Sequence, residues 1–131
     1  MTRNFLHFDS PTPSTHVISR GDDTGTPLAF TVGDLDGPFD LTGATIDFFF
    51  RTPADTFHKS DIFPVTDQVK NKGRASGFWK LQELSSVAPG NYPCQARITF
   101  PTGKMRWCPD RPLNTIVLSD NLAMPIAVPV A

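Results

Sequence analysis

Residues 90–108 read Gly-Asn-Tyr-Pro-Cys-Gln-Ala-Arg-Ile-Thr-Phe-Pro-Thr-Gly-Lys-Met-Arg-Trp-Cys, and this stretch decides the fold. From Tyr92 to Phe100 every second residue is apolar, which is the pattern of a half-buried β-strand. Tyr92 also stands two residues before Cys94, as the tyrosine does at the corner of immunoglobulin-like sandwiches. The stretch therefore predicts a strand of an immunoglobulin-like β-sandwich.

The second half of this stretch predicts a hairpin. The Thr-Gly pair at 102–103 suits a two-residue turn, after which residues 105–108 return as a strand. In that register Phe100 faces Met105, and Ile98 faces Trp107. All the large apolar side chains then share one face, which a slip of one residue would break.

Outward from the hairpin, short strand-like runs alternate with turns rich in glycine, proline and aspartate. The remaining runs are residues 16–19, 28–32, 44–51, 62–65, 75–81 and 113–118, and a short helical turn is expected within 84–89. The fold class that this pattern predicts is all-β: an immunoglobulin-like antiparallel β-sandwich of about seven or eight short strands.

The two cysteines are predicted to be free thiols. In the hairpin register above, Cys94 lies on the face of Tyr92, whereas Cys108 stands opposite Arg97 on the other face. Side chains on opposite faces of a sheet cannot form a disulfide. The three histidines have no metal-ligand spacing relative to the cysteines, so no metal and no cofactor is expected.

Length and charge exclude several classes of protein. The 131 residues suit one domain, and 12 basic against 13 acidic residues give a formal charge of −1. No cluster of basic residues predicts a nucleic-acid partner. No apolar run reaches the ~20 residues of a membrane helix, and the first residues do not resemble a signal peptide. The expected site of synthesis is a host cytoplasm.

No motif predicts catalysis. The sequence contains no P-loop, dinucleotide fingerprint or nucleophile elbow, and Glu83 is its only glutamate. Asp34, Asp36 and Asp40 surround a glycine without the spacing of an EF-hand, and they are interpreted as turn residues. We therefore expect a protein that is not an enzyme.

The two ends of the chain are predicted to contact partner proteins. The boundaries are an extended arm at 1–15, the sandwich at 16–120 and an apolar, proline-containing tail at 121–131. Phe49 joins them because it is a large apolar residue on the polar face of its strand. The predicted interface residues are Phe5, Leu6, Phe8, Phe49, Leu122, Met124, Ile126 and Val128.

Three other aromatic residues allow two interpretations. Trp79, Tyr92 and Trp107 could form a platform for a carbohydrate. Each also falls on an apolar, alternating face, and this favours the core.

Four segments, in this order, carry a resemblance to a known family. They are Gly-Asp-Asp-Thr-Gly-Thr-Pro-Leu at 21–28, Asp-Leu-Thr-Gly-Ala-Thr-Ile at 40–46, Pro-Gly-Asn-Tyr at 89–92 and Pro-Thr-Gly at 101–103. Over about residues 16–120 the chain resembles the N-terminal domain of phage baseplate upper proteins. The segment at 40–46 is the most specific of the four.

The resemblance implies a non-catalytic structural protein of a tailed-phage virion, attached at the tail or baseplate. It implies other virion proteins as partners, a homo-oligomer or multi-copy assembly, and neither nucleic acid nor membrane. Baseplate proteins continue into helices and a further domain, whereas this sequence stops after a short tail. A capsid decoration or neck protein of the same fold therefore remains an alternative. A carbohydrate-binding module remains a further alternative because of the three aromatic residues named above.

Overall fold

A computed structural model describes residues 4–10, 12–19, 26–84, 86–111 and 114–119. Its strands are β1 (Phe5–Phe8), β2 (Thr15–Ser19), β3 (Thr26–Asp34), β4 (Gly37–Pro38), β5 (Thr45–Arg51), β6 (Thr56–Pro64), β7 (Arg74–Trp79), β8 (Gly90–Thr99), β9 (Met105–Cys108) and β10 (Asn114–Ser119), with a 3₁₀ helix at Leu81–Leu84. No helix in these ranges is long and apolar enough to cross a bilayer.

The strands follow the order β1-β3-β7-β6-β5-β8-β10-β2, with β4 beside β3 and β9 beside β8. Strand β6 joins the two layers: it pairs with β5 over most of its length and with β7 at its end. We call β1, β3, β4 and β7 the first sheet, and β2, β5, β8, β9, β10 and the part of β6 that pairs with β5 the second. This architecture confirms the predicted all-β sandwich, although β2 and β10 run parallel instead of antiparallel.

The core between the two sheets is rich in aromatic rings. Phe30 of β3 stacks on Phe48 of β5, with ring centroids 6.1 Å apart. Trp79 meets Phe48 edge-on at 6.0 Å. These rings come from alternating positions of their strands, so the period-two pattern of the sequence places them inside. Trp79 is only 3% exposed, which confirms its prediction as core.

The predicted tyrosine corner is present. The hydroxyl of Tyr92 donates a hydrogen bond to the carbonyl of Ala88, four residues upstream, at 2.5 Å. Tyr92 is half-buried against the core, and Cys94, two residues on, is buried as a free thiol. The corner therefore fixes the start of β8 without an inter-sheet disulfide.

The hairpin of β8 and β9 differs from its prediction by one residue. Phe100 pairs with Lys104 by a 2.8 Å bond from its N–H to the lysine carbonyl, so the loop holds three residues. Gly103 closes it at φ 91°, a left-handed conformation that suits a type I turn followed by a bulge. Arg97 consequently faces Trp107. The prediction that Ile98 faces Trp107 and that Phe100 faces Met105 is wrong.

This shift moves two large side chains to the surface. Met105 is 51% exposed and Trp107 is 38% exposed, so the prediction of Trp107 as core is wrong. It also places Cys108 opposite Ala96, on the same inward face as Cys94. The two thiols are free, as predicted, but the reason given for it, opposite faces, does not hold.

The first strand corrects the predicted arm. Residues 5–8 pair antiparallel with β3, and Leu6 and Phe8 are 1% and 3% exposed in the domain's own core. Pro13 returns the chain toward this strand, because its carbonyl accepts the N–H of Phe8 at 2.8 Å. Burial of Leu6 and Phe8 thus needs no partner. Phe5 lies half-buried on the other face of β1.

A buried histidine lies beneath this strand. His16 is 7% exposed, stacks on Phe8 at 5.2 Å and accepts a 3.1 Å hydrogen bond from the indole N–H of Trp79. Its Nε2 must carry no proton to accept that bond. Burial lowers the pKa of His16 from 6.5 to about 4, so the ring is neutral in the folded protein.

Acidification should therefore destabilise the fold through His16. Between pH 6.5 and 4 the unfolded chain binds a proton at this histidine and the folded chain does not, so stability falls as pH falls. Lowering the pH from 7 to 5 should cost about 2 kcal/mol. Urea unfolding at the two pH values measures it. His16→Gln, whose amide oxygen can accept the same bond, should remove most of the difference. An equal pH dependence in this variant would contradict the assignment.

Candidate functional site

An aromatic cluster lies on the outer face of the second sheet. Phe49 of β5 stacks on His58 of β6, with centroids 4.6 Å apart and planes 11° from parallel. On its other side Phe49 meets Trp107 of β9 at 5.5 Å. The guanidinium of Arg97, from β8, lies 5.3 Å from the Phe49 ring and 5.8 Å from the Trp107 ring. We call these four residues and Asp47 the outer-face cluster.

Strand register explains why these side chains meet. Arg97 lies between Asp47 on β5 and Trp107 on β9, and these three form one row across the sheet. His58, Phe49 and Gln95 form the next row. All of them occupy outward positions of their strands, so the pleat puts them on one face.

Polar bonds anchor the cluster to the sheet. Asp47, 8% exposed, accepts hydrogen bonds from His58 Nε2 at 2.7 Å and from an Arg97 terminal nitrogen at 3.1 Å. Burial opposes ionisation of Asp47, but these bonds and the nearby charges outweigh it and hold the pKa of Asp47 below its usual value. The carboxylate of Asp47 therefore orients His58 and Arg97, which both lie against the Phe49 ring.

The outer-face cluster combines a histidine–carboxylate pair with aromatic and cationic side chains. Asp47 and His58 form a pair that could position a proton, but among the described residues no hydroxyl or thiol is hydrogen-bonded to His58. Within the same ranges no group of three or more histidine, cysteine, aspartate or glutamate side chains could hold a metal ion. The cluster also presents an exposed tryptophan, a phenylalanine and an arginine. All three residue types are enriched in protein interfaces, and tryptophan and arginine often contribute most of the binding energy.

A second polar cluster is structural. The ammonium of Lys59, whose side chain is 2% exposed, lies 2.8 Å from Asp61 and 3.0 Å from Glu83. It also sits 4.9 Å from the Trp79 ring. The pKa of Asp61 lies below its usual value, mainly because Asp61 accepts a hydrogen bond from Lys59. The two carboxylates offset the cost of burying the cation.

The predicted turn aspartates take the role expected of them. Asp34 accepts the N–H of Asp36 at 2.8 Å. Asp40 accepts the N–H and the hydroxyl of Thr42 at 3.1 and 2.7 Å, so both carboxylates close local turns.

The two buried cysteines should be unreactive in the folded protein. Burial, the largest cause, raises the pKa of Cys108 to about 12, and it raises the pKa of Cys94 further above its usual range. Only the thiolate attacks a disulfide reagent. Ellman's reagent should therefore find no reactive thiol in the native protein and two after denaturation without reductant. Fast reaction of either thiol in the native protein would show that the inner face of the hairpin is open.

Of the predicted interface residues that the structure describes, it brings one, Phe49, to the outer-face cluster. Leu6 and Phe8 are core, Phe5 lies half-buried on the outer face of the first sheet, and Leu122, Met124, Ile126 and Val128 lie outside the described residues. Sequence reasoning missed Trp107 and Arg97. The signal that could have found them was Gly103, since a three-residue loop ending in glycine moves Trp107 outward.

Comparisons with known proteins bear only on the architecture. No protein-family model matches the chain, and no curated protein matches it. Among solved structures, CopC from Methylosinus trichosporium OB3b is similar at 10% identity and a TM-score of 0.49, covering 93% of this chain and 99% of that one. Murine CRIg is similar at 11% identity and a TM-score of 0.41, covering 90% and 98%. Likenesses of this size carry no information on what this chain binds.

Proposed function

We propose that the chain is a non-catalytic structural protein of a tailed-phage virion, attached at the tail or baseplate. It docks to a neighbouring virion protein through the outer-face cluster. The observation that carries the docking function is the exposure of Trp107 beside Phe49 and Arg97 on a sheet face that already has a buried core on its other side.

The proposal is supported by the small entropy cost of binding a partner at this surface. Asp47 and the stacked rings already hold Arg97 and His58 in place, so little side-chain entropy is lost when a partner covers them. An aromatic ring that leaves water contributes about 1.5–3 kcal/mol.

Placement in a virion rests on the sequence resemblance. Its most specific segment, residues 40–46, turns the chain into β5: Leu41 is buried and Gly43 has φ 73°. A left-handed residue at that turn favours glycine. This segment therefore has a structural reason to recur in a fold, and the partner must be identified by experiment.

The test uses particles of the phage that encodes the chain. Mass spectrometry of purified virions should detect the protein, and Trp107→Ser should abolish its incorporation although circular dichroism shows the variant to be folded. Met105→Ser, at a neighbouring exposed position, is the matched control. Absence of the chain from intact virions excludes the virion role. The number of copies per virion then separates the sites. A number that fits a few protein rings indicates the tail or neck, and hundreds of copies indicate a capsid decoration protein.

The exposure of Trp107 also favours a second candidate, a carbohydrate-binding module, because an aromatic ring beside hydrogen-bonding side chains suits a sugar. Tryptophan fluorescence across a panel of host glycans tests it. Saturable quenching that disappears in Trp107→Phe would support this candidate. The other tryptophan, Trp79, is buried, so its fluorescence would not respond to a sugar bound at the surface. A flat titration excludes it.

A further inference from the structure

Around Phe49, the outer face of the second sheet carries more positive than negative charge. The outward positions of β5 and β8 there hold two arginines, Arg51 and Arg97, and one carboxylate, Asp47. Both oxygens of Asp47 are already bonded, one to His58 and one to Arg97, and the residue is 8% exposed. An incoming anion would therefore meet arginines and no free carboxylate among these positions.

Among the described residues of this face, Arg51 is a cation without a partner. It is exposed at the end of β5, and among the described residues it forms no ion pair or hydrogen bond through its side chain. A cavity of about 60 Å³ opens beside it, lined by Phe49, Arg51, Thr56, Pro93 and Gln95. This cavity has room for part of one side chain next to the guanidinium.

Arg97 is only partly satisfied by its own chain. One terminal nitrogen bonds Asp47, but its Nε is buried without an acceptor, and a third of the side chain remains exposed. A guanidinium has five N–H donors, and an unpaired buried donor carries a free-energy cost. Nε itself is out of a partner's reach, but the exposed terminal N–H groups of Arg97 that Asp47 does not use can donate to an acceptor from a partner.

The spacing of the two arginines fixes the spacing of a ligand. Phe50 pairs with Cys94, so Arg51, one residue further along β5, is level with Pro93 on β8. Pro93 is four residues from Arg97, so the two arginine positions are roughly 13 Å apart along the strand direction. Phe49 lies midway, because it pairs with Gln95. In an extended peptide, residues i, i+2 and i+4 point to one side with the same spacing.

From this geometry we infer that the outer face binds an extended acidic segment of a partner protein, with the pattern acidic-x-apolar-x-acidic. Its two carboxylates pair with Arg51 and Arg97, and its apolar residue packs on Phe49 beside Trp107. The inference rests on the proposed docking function and specifies the chemistry of the partner. Two arginines flanking a ring suit discrete carboxylates, whereas a nucleic-acid backbone requires clustered cations.

The test titrates the full-length protein with fluorescein-labelled Ser-Glu-Thr-Leu-Thr-Glu-Ser and follows fluorescence polarisation. A second peptide has glutamine in place of both glutamates, and a third has the two glutamates adjacent. We expect the first to bind at least about fivefold more tightly than either other, and each of Arg51→Gln and Arg97→Gln to weaken it about tenfold. Lys70→Gln, the same charge change on an exposed turn, should have no effect.

The outcomes separate this inference from the docking function. Equal binding of the glutamine peptide, lost in Trp107→Ser, overturns the acidic pattern but leaves the docking surface. Binding of oligogalacturonate, an acidic carbohydrate, without binding of the acidic peptide overturns the protein partner. No binding of any peptide also overturns the inference, while incorporation of Trp107→Ser into virions decides the docking function on its own.

Discussion

Replacing Phe8 by alanine should lower the free energy of unfolding by about 3–5 kcal/mol. The ring is 3% exposed and meets Phe30 and Phe48 edge-on, at centroid distances of 6.4 and 6.2 Å. It also covers His16. Truncation would leave a cavity between the two sheets that the strands cannot close without moving. Equilibrium unfolding in urea, followed by tryptophan fluorescence, measures the loss.

Phe5→Ala is the matched control. It removes the same atoms from the same strand, but Phe5 is half-buried on the outer face, so we expect a loss of about 1 kcal/mol or less. Equal and small losses in both variants would mean that β1 is a detachable arm, as the sequence alone suggested. A much larger loss for Phe8 would establish that the sandwich begins at this strand.

Why the sequence suggested an arm is clear from residues 5–13. The alternation in residues 5–8 spans only four positions, too few for a period to be recognised, and two prolines follow within five residues. Prolines lack an N–H, which favours an interpretation as unpaired chain. In the structure β1 pairs with β3, and the carbonyl of Pro13 accepts the N–H of Phe8, so the segment that was expected to be an unpaired arm is bonded to its own domain.

The sandwich itself could be predicted because long strands carry their own pattern. Residues 44–51 and 92–100 alternate over many positions, and the structure pairs them as neighbours, β5 with β8. Their inward residues, such as Phe48 and Ile98, are buried as the alternation indicates. A period of two is a local property and needs no knowledge of the partner strand.

The candidate site could be predicted only in part. Phe49 stood out because it is apolar among polar neighbours, which is again a local signal. Trp107 depended on the length of one loop, and a change of one residue there reverses every side chain of β9. Lys59 gave no signal at all: its burial depends on Glu83, 24 residues away, and on Asp61 beside it. Contacts of that kind follow from the fold and cannot be found before it.

Neutralising the two acids around Lys59 should destabilise the protein by about 3–5 kcal/mol. The variant is Asp61→Asn with Glu83→Gln, and both substitutions keep the shape of the side chain. In the unmodified protein Glu83 accepts the N–H of Lys80 at 2.7 Å, and the amide oxygen introduced by Glu83→Gln can accept the same bond. The double variant leaves an ammonium that is 2% exposed without a counter-charge, and only neutral amide oxygens and the Trp79 ring remain to stabilise it. Urea unfolding at pH 7 measures the change.

Adding Lys59→Met to this double variant supplies the control. Methionine fills a similar volume beside Trp79 without a charge, so the triple variant should recover most of the lost stability. Lys59→Met alone should cost no more than about 1–2 kcal/mol, because Asp61 and Glu83 are 47% and 30% exposed and water can solvate both. If the triple variant is no more stable than the double variant, the loss comes from hydrogen bonding or packing, and the buried charge of Lys59 is not its cause.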